Sequence, residues 1–164
     1  MAEYIKYAVL LLVLAIVQKT LIWLIAVTSY DITPDVVLIG LVYVGIRKGK
    51  IAGSVSGFLI GFIIDFFSFS FLGLMALSKA SAGFLAGFFN NENKVERNTR
   101  SYTFIIIVFF CSLVNNILYF LFYFQGTLLS FGDVLLRYII PTAVYTAVIS
   151  IVPLFLIRKK VIIR

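Results

Sequence analysis

The sequence predicts an all-α polytopic membrane protein, a single transmembrane domain over residues 1–164 with about six helices in one bundle. Three observations carry that expectation. Of 164 residues, 62% are hydrophobic and only 13% charged, with a mean hydropathy of +1.10. A soluble domain of this size has too little interior to hide that much apolar surface, so the solvent must be lipid. Apolar segments can be drawn at about 5–27, 34–46, 51–66, 73–89, 102–124 and 134–157. Finally, the positive charge is unevenly placed. Lys6, then Arg47, Lys48 and Lys50, then Lys94, Arg97 and Arg100, then Arg158, Lys159, Lys160 and Arg164 fall on one side, eleven of fourteen basic residues. The other side carries Asp31, Asp35 and Asp133 with Arg137. This bias predicts a cytoplasmic (inner) membrane protein with both termini in the cytoplasm.

The first segment has Glu3 against Lys6 and is interrupted by Gln18, Lys19 and Thr20. No small-x-small cleavage site follows, so it is expected to remain a helix rather than leave as a signal peptide. Roughly 13 residues in the second segment, at about 1.5 Å each, do not cross a ~30 Å core. A tilted helix, or half of a re-entrant hairpin with the third, is expected. Pro34 suits its first turn, with Asp31 or Thr33 as N-cap.

Through the third segment glycine recurs every fourth residue, at Gly45, Gly49, Gly53, Gly57 and Gly61, and Asp65 completes the series. On a helix, Gly53, Gly57, Gly61 and Asp65 share one drifting stripe. Such a run weakens a helix in water by about 1 kcal/mol per glycine. In lipid it lets two backbones approach, which is how membrane helices associate. The fourth segment offers a matching small face in Ala76, Ala80, Gly83 and Gly87. A helix-packing seam between the two is the expected use.

Three charges lie at membrane depth: Lys19, Asp65 and Lys79. Each costs at least about 2.5 kcal/mol at the centre of the bilayer and should face protein or water. If the small faces of the third and fourth helices meet, Asp65 and Lys79 come together as an ion pair. Partner docking is the competing use. Lys19 is too far from a helix end to snorkel easily and is expected to find Asp35 or Asp65. In the fifth segment Asn115 and Asn116 can hydrogen-bond across helices, while Tyr119 and Tyr123 read as an interfacial anchor. In the last, Pro141 and Pro153 should kink a helix whose Thr142, Tyr145, Thr146 and Ser150 form a mildly polar face.

Several function classes are excluded. There is no histidine and a single cysteine, Cys111, so neither a zinc site nor a Ser-His or Cys-His catalytic arrangement can be assembled. The net charge of +7 is a topology signal rather than a nucleic-acid footprint. The longest polar connection, residues 90–100, is too short for a soluble module. No catalytic residue, cofactor or metal is expected.

The block from Pro34 to Phe89 resembles the rod shape-determining protein MreD family. The resemblance rests on Pro34, Asp35, Tyr43, Arg47, Gly49, Gly53, Gly57, Phe58, Gly61, Asp65, Gly73 and Ala76, with Gln18 in the first helix. Gly45 departs from the family pattern only by extending the glycine series. The resemblance implies a non-enzymatic membrane scaffold of the bacterial cell-elongation complex, supporting rod shape and lateral peptidoglycan synthesis. Its partners, besides membrane lipid, would be an MreC-like bitopic protein and, through it, the actin-like MreB, a SEDS glycosyltransferase and a class B penicillin-binding protein. The expected contact surfaces are the outer end at Pro34 and Asp35, and Tyr43 with the basic turn Arg47, Lys48 and Lys50. That turn can equally serve retention against anionic lipid. The competing class is the substrate-binding membrane subunit of a vitamin-type energy-coupling-factor transporter, which has a similar six-helix architecture. Such a subunit needs a cavity with convergent polar groups near the outer face, and the outer loops, with Asp31, Asp35, Asp133, Trp23 and Tyr30, offer little for one.

Overall fold

The computed structural model describes residues 2–21, 33–68, 71–91, 93–124 and 130–153, and every regular element among them is helical. Helix α1 spans Ala2–Leu21, α2 Val36–Lys48, α3 Lys50–Ser68 and α4 Leu74–Ala86, the last continued by a 3-10 turn at Gly87–Phe89. A six-residue helix, α5 (Val95–Arg100), lies in the segment expected to be a plain polar connection. Then come α6 (Thr103–Tyr123), α7 (Phe131–Val134), a π-wound stretch at Leu135–Ile139 and α8 (Ile140–Ile149). Among the described residues, three helices are long and apolar enough to cross a membrane: Lys50–Ser68, Thr103–Tyr123 and Phe131–Pro153. The expected ends of the first and last segments, with Trp23, Tyr30, Asp31 and the cluster Arg158 to Arg164, lie outside the described residues.

Helix α2 is the core of the bundle. Nine of its thirteen residues are buried, because VVLIGLVYVGI is apolar on every face and must be enclosed on every face. It packs against α1, α3, α4, α5, α6 and α8. The outside has the opposite character: Ile51, Phe58, Phe62, Phe66, Phe110 and Val148 are exposed, while Asp65, Lys79, Asn115 and Asn116 are buried. Apolar groups outside and polar groups within are what a lipid solvent demands.

α2 and α3 form a hairpin around Gly49 alone. Its φ of 88° and ψ of −177° are open in practice only to glycine, and its N–H donates to the Gly45 carbonyl at 2.9 Å. α3 then meets α4 backbone to backbone. A Cβ on Gly57 would stand 2.7 Å from the Lys79 carbonyl carbon and 3.0 Å from Ala80 Cα. One on Gly61 would stand 2.6 Å from Ala76 Cα, and one on Gly83 2.7 Å from the Gly53 carbonyl carbon. Past the end of α4, a Cβ on Gly87 would reach within 2.7 Å of the Gly49 carbonyl carbon. Gly53, Gly57 and Gly61 thus lie, in antiparallel register, against Gly83, Ala80 and Ala76. Pro141 lies just after the π-wound stretch. There the Ile140 N–H bonds back to the Leu135 carbonyl, a winding that absorbs the missing proline donor.

Candidate functional site

Polar groups converge on the N-terminus of α2. That helix starts at Val36, two residues after Pro34, so Pro34 precedes the first turn, and its N-cap is Asp35, not Asp31 or Thr33, with Oδ1 accepting from the Leu38 N–H at 2.9 Å. Asp35 Oδ2 forms an ion pair with Lys79 Nζ of α4. The Asp35 N–H donates to Thr146 Oγ1 of α8 at 3.1 Å. Two residues on, the Val37 N–H donates to Gln18 Oε1 of α1 at 2.9 Å. Three other helices are therefore fastened to the core helix by residues 35–37. The Lys79 side chain is 2% exposed and that of Asp35 13%, so neither charge can lose the other without being stranded in a low-dielectric interior.

Lys79 therefore pairs with Asp35, and the expected Asp65–Lys79 pair is corrected. Asp65, 1% exposed, instead closes the N-terminus of α4. Its Oδ2 accepts from the N–H groups of Gly73 at 3.0 Å, Met75 at 3.0 Å and Ala76 at 3.1 Å. The α4 N-cap position is Gly73, at φ 99° and with no side chain to cap, so α3 supplies the carboxylate that a capping Asp would give. Three amide donors and the positive end of the helix stabilise the buried charge. Asp65→Ala leaves the buried Ala76 amide and the part-buried Gly73 and Met75 amides without this acceptor, and a fully buried one costs about 1–3 kcal/mol. The variant is expected to lose several kcal/mol of stability in detergent unfolding, and Asp65→Asn less. Equal stability of Asp65→Ala and wild type would remove the cap from the account.

Lys19 meets neither carboxylate. Its Nζ donates to the Phe67 carbonyl in the last turn of α3 at 2.7 Å, where a cation complements the helix dipole.

The candidate contact residues are divided by the structure. Pro34 is buried and Asp35 is committed within the bundle, so this end of α2 is an internal joint rather than a surface. Tyr43 is half-buried between the Tyr7 ring, 6.4 Å away, and the Arg47 guanidinium, 5.1 Å away. The basic turn remains accessible. Lys48 pairs with Glu3, and Lys50 Nζ lies 3.6 Å over the Phe88 ring. The hydrogen bond from Lys48 and its charge hold the Glu3 carboxyl below its ordinary value. That tether is intact above the ordinary carboxylate range and released as pH falls through the lowered value.

Beside the Asp35–Lys79 pair lies a cavity of about 530 Å³ bounded by α1, α4, α6 and the π-wound stretch. Tyr119 and Tyr123, expected as an interfacial anchor, line it with rings stacked 5.4 Å apart. Tyr138 and Phe124 close another side, with ring centroids at 5.1 Å. Asn116 Nδ2 lies 3.5 Å from the Ile139 carbonyl, and Asn115 Nδ2 donates to Asn116 Oδ1 at 3.2 Å. Apart from Thr33 and Asp35 at the start of α2, the cavity's polar groups lie within helices, so a reading of the outer loops met only its edge. Among the described residues, no group of His, Cys, Asp and Glu could hold a metal ion.

Residues 3–161 match the family model described as rod shape-determining protein MreD. Neither a curated protein nor a solved structure matches the chain.

Proposed function

The chain belongs to the rod shape-determining protein MreD family, and on that premise we propose that it is a non-enzymatic membrane scaffold of the cell-elongation complex. It supports rod shape and lateral peptidoglycan synthesis by holding an MreC-like bitopic protein and, through it, MreB, a SEDS glycosyltransferase and a class B penicillin-binding protein. The observation that carries this reading is the family match over nearly the whole chain. The physical description agrees with it, since the buried charges are occupied with one another, with backbone amides or with helix ends. In this reading six helices cross the cytoplasmic membrane and both termini lie in the cytoplasm, with the basic turn Arg47–Lys50 on that face, available to a partner or to anionic lipid.

Co-purification from gently solubilised membranes tests the proposal. A single-pass partner with a periplasmic domain is the expected result. Recovery of a nucleotide-binding subunit instead establishes the transporter class, which the cavity beside Lys79 favours as a second reading. Reporter fusions are a separate check on topology. Fusions at either end should be active in the cytoplasm, and a carboxy-terminal reporter active only in the periplasm overturns the six-helix arrangement.

A further inference from the structure

The cavity holds an acceptor that none of the described residues satisfies. Asn115 is 5% exposed, lines the cavity, and its Oδ1 is buried with no hydrogen-bond partner among the described residues. A buried amide oxygen without a donor is uncommon in folded proteins and calls for a donor from outside the chain. Two further features restrict what brings it. Among the described residues, the formal charges in the lining are Asp35 and Lys79, which neutralise each other as an ion pair, so this lining carries no excess charge to recruit an ion. The wall beyond Asn115 is aromatic, with the Tyr119 and Tyr123 rings nearly parallel at 17° and Tyr138 set against Phe120 and Phe124. Such a wall favours a flat partner. The volume, about 530 Å³, lies within the range of small-molecule sites.

We propose that this cavity is a binding site for a small, uncharged, planar molecule carrying a hydrogen-bond donor, with Asn115 Oδ1 as the acceptor and the tyrosine rings as the stacking wall. The proposal is independent of the scaffold reading, because it concerns occupancy of the isolated protein. Its test uses the full chain in nanodiscs, with three probes of similar size compared by saturation-transfer NMR against empty nanodiscs. Benzamide has a planar ring and a donor, toluene has no donor, and benzoate adds a charge. Benzamide is expected to bind about tenfold tighter than either of the others, and Asn115→Leu to erase that preference. Size-exclusion behaviour shows whether the variant folds; if it does not, the wild-type preference alone decides. Equal binding of the three probes, or a benzamide preference retained in folded Asn115→Leu, overturns the proposal and leaves a water-filled gap beside the ion pair.

Discussion

Gly57→Leu is expected to be among the most damaging single changes in the protein. A side chain at that position meets the Lys79 carbonyl and Ala80 Cα, and both are backbone, so no rotamer change relieves the clash. The two helices must separate, and separation forfeits the close packing on which association in lipid depends, hydrophobic driving force between helices being absent there. Overpacking of this kind costs about 1–3 kcal/mol when side chains can yield, and more when they cannot. Gly57→Ala should already be destabilising, and Gly61→Leu, set against Ala76 Cα, should resemble Gly57→Leu. Thermal or detergent unfolding of the purified variants checks this. Wild-type stability of both leucine variants would show that α3 and α4 do not rely on that contact.

The second large effect concerns Asp35 and Lys79. Removing one partner strands the other charge inside the bundle, at about 3–5 kcal/mol, whereas removing both leaves a neutral if less well-tied interior. Lys79→Met and Asp35→Asn should each be severely destabilising, and the double variant should recover much of the sum. Asp35→Asn keeps an Oδ1 that can still cap α2 through the Leu38 N–H, so its cost is that of the lost ion pair and the stranded Lys79 charge. A coupling of at least about 1 kcal/mol is expected between contacting groups. The same cycle with Asp65→Asn in place of Asp35→Asn should return a smaller coupling, since backbone amides hold Asp65. Additive effects for Asp35 and Lys79 contradict the joint described above.

Much of the helical layout was legible because it depends on local pattern. Apolar length and polar breaks located the longer helices that are described, though not the six-residue α5, and the four-residue glycine spacing marked the face of α3 that meets α4. The charges were harder. Asp65 and Lys79 share the α3–α4 hairpin, so proximity in sequence suggested a pair, yet a carboxylate can be satisfied by the N-terminus of a helix as well as by a cation. The signal was present in Gly73, a helix-start residue without a capping side chain, eight residues after an aspartate. Asp35 looked like a surface residue because it follows a proline at a helix start. Only the burial of most of α2, itself implied by its apolar residues on every face, turns that end inward. The cavity was illegible for a topological reason. Asn115 and Tyr119 share one face of α6, but Lys79 lies on α4 and Tyr138 in the π-wound stretch, and no sequence spacing brings the three stretches onto one cavity.

The scaffold account is tested most directly by depletion in the host, scored by cell shape and by the pattern of lateral wall synthesis. It predicts that depleted cells become round and their lateral synthesis disperses, with uptake of small solutes unchanged. It also predicts that Lys79→Met fails to restore shape where the wild-type chain succeeds. Normal rod shape after depletion, together with loss of uptake of one small solute, would contradict the account and place the protein among transporter subunits.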